Sequence, residues 1–400
     1  MTNAREIELG ELMPQEGRSS VNPADYPGEV FELLSIPAYD RGSAEIALGS
    51  EIGSTKQAVQ PGDVLLSKIV PHIRRAWVVE PSAGSRQIAS SEWIVFRSKE
   101  ADARYLRHFL VSDGFHRQFM QTVSGVGGSL LRARPKYVAK IKIPLPTLEE
   151  QRRIAAILDK GESIEALFSK REKAFRSVEE SLFTALHEGD NRGLTGKAYS
   201  LSDVFWFQEG PGVRNWQFTT SGVKLLNVGN ITIEGKVDLR RSERHVSEDE
   251  AFGKYSHFLV DEGDLLMPSS GIPIEGDGLL RTRSAFATSS DLPLCMNTST
   301  IRFKPKKEAA SLLFLQGWLQ SREFRVQITK LVTGSAQKNF GPSHLKQLTI
   351  TLPHPSLQDG FEKRLTRIRE LRHSLHPSES NLSELMFSLG NLAFKGGVSA

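Results

Sequence analysis

Residues 110–125, LVSDGFHRQFMQTVSG, return as LQSREFRVQITKLVTG at 319–334. Two further pairs flank them: PGDVLL at 61–66 with EGDLLM at 262–267, and VAKIKIPLP at 138–146 with LKQLTITLP at 345–353. The offsets are 209, 201 and 207 residues, so order is kept and only loop lengths differ. That period is far longer than the repeat of a solenoid. It marks a duplicated domain, once over 1–147 and again over 199–355.

Both copies read alike. Strand-like apolar runs come early, Glu29–Leu34 and Trp93–Phe96 in the first, Val223–Leu226 and Thr300–Phe303 in the second. Pro-Gly-Asp and Glu-Gly-Asp before an apolar run predict a turn feeding a strand. A single amphipathic helix follows in each, about 103–123 and 309–332. Then come Gly/Ser loops, GVGGSLLRARP and GSAQKNFGP, and a short strand ending at Pro, IKIPLP or TITLP. The fold class is α+β, with strands first and one helix late.

After each copy the periodicity turns helical. Ile154, Ile157, Ile164, Phe168, Phe175, Val178, Leu182 and Leu186 fall at spacings of three, four and seven, a heptad stripe into which Arg171 intrudes. Thr147 and Glu150 have the spacing of a capping box. Phe361, Leu365, Ile368, Leu375, Leu382, Leu385 and Leu389 repeat the theme, with Pro377 expected to break or kink the second helix near His376. The domain plan is thus 1–147, a helix at 148–188, a linker at 189–198, a second domain at 199–355 and a second helix at 356–395. If a two-fold axis relates the copies, the two helices pair antiparallel as a coiled coil.

Composition narrows the function classes. The chain has 400 residues, 39% hydrophobic and 24% charged, with 51 basic against 47 acidic side chains, which suits a soluble globular protein of two domains. No run approaches the roughly 20 apolar residues of a membrane span. The polar start MTNAREIELGELMPQEG lacks the apolar core of a signal peptide, so the expected location is the cytoplasm. Cys295 stands alone, which excludes an internal disulfide and a thiolate metal cage. Net charge of +4 does not announce a nucleic-acid binder, but its distribution is uneven. Arg132, Arg134, Lys136, Lys140 and Lys142 form an acid-free run; so do Lys68, His72, Arg74 and Arg75, and Arg302, Lys304, Lys306 and Lys307.

Catalytic signatures are missing. GNITIEGKV at 229–237 has five residues between its glycines and no Ser or Thr after Lys236, and reads as strand, turn and strand rather than a P-loop. The histidines are scattered, and His187-Glu188 has no second histidine at helical spacing. No G-x-S-x-G elbow is present. Asn22-Pro23-Ala24-Asp25 is not the N-P-P-aromatic tetrapeptide of amino-methyltransferases. Glu149-Glu150 and Glu179-Glu180 sit on helices, where solvent exposure is expected. No metal site and no enzymatic centre are expected.

The segment IPLPTLEEQRRIAAILD, residues 143–159, resembles the conserved segment of the specificity subunits of type I restriction–modification systems. In that family an I-P-L-P-x-L-x-E-Q-x-x-I signature follows each target-recognition domain and opens a long helix. Ile143, Pro144, Leu145, Pro146, Leu148, Glu150, Gln151 and Ile154 fit it. The GDVLL box, the TVSG and LVTG loops and the repeat order agree as well, so the likeness spans essentially the whole chain. The second copy, ITLPHPSLQDGF at 350–361, keeps Leu352 and Pro353 but reads Gln358-Asp359 where Glu-Gln would stand.

The resemblance implies a non-catalytic DNA-specificity subunit: two target-recognition domains, each followed by a long helix, the helices pairing as an antiparallel coiled coil. Each domain would read one half of a bipartite, asymmetric site in double-stranded DNA. The helices would set the spacing and dock two adenine-N6 methyltransferase subunits. Restriction and translocase subunits would join them. S-adenosylmethionine, and ATP with magnesium, would belong to those partners, with no cofactor in this chain. A helix of about 40 residues spans about 60 Å, well over one turn of duplex.

The expected DNA contacts are Ser129, Arg132, Arg134 and Lys136 in the first Gly/Ser loop and beyond it, and Ser335, Gln337, Lys338 and Asn339 in the second. The segments after the GDVLL box add Lys68, His72, Arg74 and Arg75, matched by Ser269, Ser270, Arg281 and Arg283. Gln151, Ile154 and Ile157 are candidates for partner docking, with core packing competing for the isoleucines. Two other classes compete: a self-contained DNA-modifying enzyme, and a coiled-coil adaptor that never reads DNA.

Overall fold

The strand that ends each repeat pairs with the strand that begins it in the computed structural model, which describes residues 5–14, 20–82, 84–125, 131–188, 196–241, 243–306, 311–332, 338–375 and 377–394. Lys142–Leu145 lies antiparallel to Arg5–Glu8, and Thr349–Leu352 to Lys197–Ser200. Alternation explains both: Ile143 and Leu145, like Ile350 and Leu352, turn inward while their neighbours do not. The chain divides into two units, residues 1–170 with 375–400, and residues 171–374.

In the first unit a mixed five-stranded sheet takes the order Ser20–Val21, Lys56–Ala58, Arg86–Ala89, Val30–Leu34, Glu45–Leu48. A three-stranded antiparallel sheet has Val64–Ser67 between Ala76–Val78 and Trp93–Phe96. The second unit has a sheet of Phe205–Glu209, Thr300–Pro305, Leu265–Pro268 and Ala285–Phe286, and another of His245–Val246, Val223–Leu226 and Leu294–Met296. In each unit one early strand runs parallel to a later one, Val30–Leu34 to Arg86–Ala89 and Val223–Leu226 to Leu294–Met296. The GNITIEGKV stretch is a tight reversal, with Ile231 bridged to Val237 and Gly235 at φ +77°.

The glycine-aspartate boxes work as the turn chemistry requires. Gly62 and Gly263 take φ +88° and +81°, which only glycine adopts freely. The aspartate that follows is buried and caps its own turn, Asp63 accepting from the Gln60 amide and Asp264 from the Asp261 amide. Each also meets an arginine on the neighbouring strand segment, Arg97 at 2.7 Å and Arg302 at 3.3 Å.

The late helix differs from expectation. It is two helices in each unit, Ala103–Val111 and Asp113–Met120, then Leu312–Gln320 and Arg322–Leu331. The break falls on Ser112 and Ser321, each extended and accepting the amide of the residue three positions on. A serine hydroxyl that caps a new helix outcompetes continuation of the old one. Apolar periodicity runs across the break and hides it.

Leu148–Glu188 forms one uninterrupted helix that passes from the first unit into the second. Thr147 accepts the Glu150 amide, but the Glu150 carboxylate turns to Arg153, so only half of the capping box forms. The second helical stretch is two helices, Pro355–Ser374 and Pro377–Phe394, with Pro377 opening the second where its missing amide costs no hydrogen bond. His376 lies outside the described residues. Among the described residues no helix is long and apolar enough to cross a membrane.

Cys295 is fully enclosed in Leu294–Met296, and burial pushes its thiol up to about 12. A disulfide reagent at pH 8 is therefore expected to leave the native chain unlabelled and to modify it once upon denaturation. Rapid labelling of the native protein would contradict the position of this strand.

Candidate nucleic-acid interface

Two segments chosen separately from the sequence meet in space, and do so in both units. In the first unit the chain leaving Val64–Ser67 pairs with the chain leaving the Gly/Ser loop. Ala133 donates to the Lys68 carbonyl at 2.8 Å, Val70 to the Leu131 carbonyl at 3.2 Å, and Ile69 bridges Arg132. In the second unit Phe340 donates to the Ser269 carbonyl at 2.9 Å, Gly271 to Asn339 Oδ1 at 3.1 Å, and Ile272 bridges Lys338. Val70 and Gly271 stand at the same offset as the box and both have positive φ, +49° and +61°. A β-branched residue held left-handed is strained, a condition that clusters at functional segments.

Most of the arginines expected to face DNA are already engaged. Arg75 grips Asp40 with both arms of its fork at 2.7 and 2.8 Å, and that hydrogen-bonded guanidinium holds the Asp40 carboxyl below the usual carboxylate range. Arg74 pairs with Asp113 at 2.5 Å and donates to the Val111 carbonyl. Arg132 pairs with Glu92 at 3.2 Å. The runs are free of acid in sequence, yet folding brings acids to them from elsewhere.

What stays open in the first unit is smaller. Among the described residues Lys68, Arg134 and Lys136 have no carboxylate partner. Arg134 is exposed and lies 4.2 Å over the ring of exposed Tyr137, with Lys136 5.8 Å from the same ring. His72 and Ile73 are exposed beside them in sequence.

In the second unit the picture shifts further. Ser269 is buried, its hydroxyl bonded to Glu209, so it presents its backbone and not its side chain. Ser270 and Lys338 are half-buried, and Asn339 is exposed but occupied by Gly271. Arg281 is exposed and paired with Glu275 at 3.3 Å; Arg283 is half-buried and donates to the Val228 carbonyl. Arg302, part of the third basic run, is buried and wholly internal, while Lys304 pairs with Asp261 and Lys306 with the Ser202 carbonyl. Ser129, Ser335 and Gln337 lie outside the described residues.

The signature glutamine proves to be an internal clamp. Gln151 is fully buried, donates to the Pro146 and Glu100 carbonyls, and accepts the Asp102 amide at 2.7 Å. Asp102 in turn caps Ala103–Val111. Gln358 does the same in the second unit, donating to the Pro353 carbonyl and accepting the amide of Ser311, the cap of Leu312–Gln320. Counting five residues from Pro146 and Pro353 aligns the two glutamines. The second copy therefore keeps the glutamine, and it is Leu357 that replaces the glutamate; the Gln358-Asp359 reading was one residue out of register. Gln151 and Ile154 are thus enclosed in their own unit, leaving Ile157, 37% exposed, as a surface residue.

The seam buried along the long helix is only in part the expected stripe. It keeps Ile154 and adds Ala155, Leu158, Gly161 and Phe183; Phe168, Phe175, Leu182 and Leu186 are half-buried, whereas Ile157, Ile164 and Val178 of that stripe are exposed, as is Leu167. Gly161 meets Met386 closely within the first unit. Within the second unit the long helix and Pro355–Ser374 run antiparallel, joined by Phe183 with Phe361, Glu179 with Arg369 at 3.3 Å and Glu172 with Arg372 at 2.5 Å. Glu179, expected in solvent, sits mostly buried in this network, and Arg369 also bonds Gln316. Beside it Val178, Ser181, Leu182, Lys363, Arg364, Arg367 and Ile368 line a groove of about 610 Å³, apolar in floor and cationic in rim.

One cluster escaped the sequence because its members are some 50 residues apart. His108, Asp159 and Glu162 place ligand atoms within 4.8 Å of one another. Arg104 already pairs with Asp159 and Arg107 with both Glu162 oxygens, so guanidinium groups hold the places a cation would take. The cluster fastens Ala103–Val111 to the long helix.

A duplicated α+β domain, each copy joining the same two polar segments at one edge and locked by a glutamine to a helix, defines a chain of two like modules. Residues 7–174, less than half of the chain, match the family described as type I restriction modification DNA specificity domain. It is 26% identical over 276 residues to the type I restriction enzyme MjaVIII specificity subunit of Methanocaldococcus jannaschii, covering 66% of this chain and 63% of that protein. The match therefore spans less than two thirds of the relative's length. Two solved structures share the fold. The type I restriction–modification S subunit from M. genitalium has a TM-score of 0.54 at 11% identity, covering 99% of this chain and 97% of that one. A chain from a structure addressing complex assembly and conformational transition of the type I R-M system has a TM-score of 0.53 at 18% identity, with 98% of each chain covered.

Proposed function

We propose that this chain is the DNA sequence-specificity subunit of a type I restriction–modification complex, with recognition domains at 1–147 and 199–355 and no catalytic centre of its own. The observation that carries this is the repeated meeting of the post-box segment with the post-loop segment, furnished with different side chains in the two copies. Lys68, Arg134 and Lys136 supply open cations in one; Ser270, Lys338 and Asn339 supply amide, hydroxyl and ammonium groups in the other. Two readers that differ in side chains read different half-sites, so the target is bipartite and asymmetric. Direct readout by bidentate pairs contributes roughly 1–3 kcal/mol each, so a few per domain suffice.

The helices at 148–188 and 356–395 act as the spacer, pairing antiparallel as a coiled coil. The antiparallel ion pairs and aromatic contacts inside the second unit support that pairing. Exposed Ile157, Ile164, Leu167 and Val178, with the cation-rimmed groove beside Leu182, offer surface for two methyltransferase subunits. S-adenosylmethionine, and ATP with magnesium, are supplied by those and by restriction subunits.

The test is a salt titration of DNA binding by the chain purified with its co-expressed methyltransferase. Replacing Lys68, Arg134 and Lys136 by Ala is expected to weaken binding to all sequences and to flatten the salt slope by about 0.9 per lost phosphate contact, roughly 2–3 in all. An unchanged slope with methylation of one bipartite motif intact would remove these residues from the interface. A chain that binds no DNA while still joining its partners would leave an adaptor.

A further inference from the structure

Trp216 is the most exposed large hydrophobic side chain among the described residues, at 80%. Single exposed hydrophobic side chains are common on folded chains, so the indole's exposure alone assigns nothing; its setting does. The turn that carries it, Asn215–Gln217, is built rigidly from beneath. Gln217 is buried; its carbonyl accepts the Arg214 amide at 3.0 Å, and its amide donates to Glu250 at 2.6 Å and to the Tyr255 hydroxyl at 2.9 Å. Val213 before the turn is buried in the same small core as Tyr255, and Phe218 after it packs on that core. Arg214, Asn215 and Trp216 are left facing outward on a fixed base.

The chemistry around the turn points to a nucleic acid. Arg214 and Asn215 flank the indole, and Arg244 and His245, preceded by exposed Glu243, return beside the residues that follow it. Thr219 donates to the His245 carbonyl at 3.0 Å and Arg244 lies 5.0 Å over the Phe218 ring. Of the nearby acids, Glu250 is occupied by Gln217, while Glu248 and Asp249 face solvent in the first turn of Glu248–Phe252. The turn is also close to the edge already described. Glu209 accepts from Ser269, and seven residues of chain reach no more than roughly 25 Å, within one turn of duplex. The turn before the parallel strand of the first unit, Pro23–Asp25, carries Ala24 and ends on Tyr26, 46% exposed, with Arg86 5.1 Å over its ring, so no indole stands there.

We propose that Trp216 is a DNA-contacting residue of the second recognition domain, its indole stacking on or wedging at a base step while Arg214 meets the adjoining phosphate. This rests on the DNA-reading role proposed above. A wedge of this kind favours pyrimidine–purine steps, which unstack most easily.

The experiment uses the full chain with the subunits that co-purify with it, and duplexes bearing the bipartite motif found from host methylation. Trp216→Ala is expected to weaken specific binding about tenfold or more with the salt slope unchanged, and Trp216→Phe to retain most of it. Arg214→Ala is expected to flatten the slope. Acrylamide quenching of the wild type, less that of Trp216→Phe, isolates this indole, and DNA is expected to shield it. Equal affinity of Trp216→Ala and wild type, or an indole still quenched in the complex, would overturn the proposal while leaving DNA reading intact. Loss of partner co-purification with unaltered DNA affinity would assign the indole to a protein surface instead. A wild-type assembly that binds no duplex would remove both readings together.

Discussion

Gln151→Leu is expected to lower the stability of the first unit by about 2–4 kcal/mol, because it removes the side-chain partner of three backbone groups. The Pro146 carbonyl, the Glu100 carbonyl and the Asp102 amide all close on this one side chain. Leucine fills the volume but offers neither donor nor acceptor, so the desolvation of those groups is left uncompensated. Gln358→Leu orphans the Pro353 carbonyl and the Ser311 amide, and its expected cost is correspondingly smaller, about 1–3 kcal/mol. Hydrogen exchange read at the start of the long helix and at 102–106 is the measurement. Protection there is expected to fall in the first variant and to stay unchanged in the second. Loss confined to the helix start, with 102–106 protected as before, would mean that the glutamine only caps and does not clamp.

The functional consequence follows from where the clamp sits. It joins the last strand of a recognition domain, the first turn of the long helix and the cap of that domain's own helix. In the proposed spacer role, the helix measures distance only if its end cannot swivel in the module it leaves. His108 and Arg104 on Ala103–Val111, paired with Asp159, reinforce the same joint one and two turns further along.

Much of the order was legible from the sequence through its period and turn chemistry. The duplicated order, the strands around the GDVLL box and the positive-φ glycine inside it follow from local rules that need no knowledge of the partner strand. What escaped depends on contacts distant in sequence. Arg75 looked free because Asp40 is 35 residues away, and Arg132 because Glu92 is 40 away. Ser112 and Ser321 sit within continuous apolar periodicity, so hydrophobicity alone ran one helix through them. On the long helix the expected stripe holds at Ile154 and in part at Phe168, Phe175, Leu182 and Leu186, but fails at Ile157 and Ile164, because Ala155 and Gly161 lie inside where small residues permit close approach and leave no apolar mark. The register of Gln358 could have been found, since its distance from Pro353 equals that of Gln151 from Pro146. Trp216 carried no motif; only the burial of Gln217 beside it shows that the turn is held open.

Asp264→Ala is expected to destabilise the second unit by about 3–5 kcal/mol, the range for stripping one partner from a buried pair. Arg302 is almost enclosed, with 7% of its side chain exposed and Asp264 at 3.3 Å. Its two terminal nitrogens also donate to the Leu259 and His257 carbonyls and to Gln208, its Nε has no partner among the described residues, and Trp206 covers it at 5.2 Å. None of those groups is an anion, so alanine at 264 leaves the guanidinium without a hydrogen-bonded counter-ion, Asp261 acting on it only through space, and removes the cap of its own turn. The matching change in the first unit is expected to cost less, about 1–3 kcal/mol, because Arg97 is 28% exposed and water takes up its fork. A double variant, Asp264→Leu with Arg302→Met, separates charge from packing. It is expected to recover most of the loss in a urea titration, since a pair replaced by apolar residues of similar volume carries no unpaired charge. Were the double variant no more stable than Asp264→Ala, the cap on the Asp261 amide would be the dominant contribution rather than the ion pair. The box strand runs from this aspartate straight to Ser269 and the edge proposed to meet DNA, so loosening its root is expected to blur the second half-site while the first is still read.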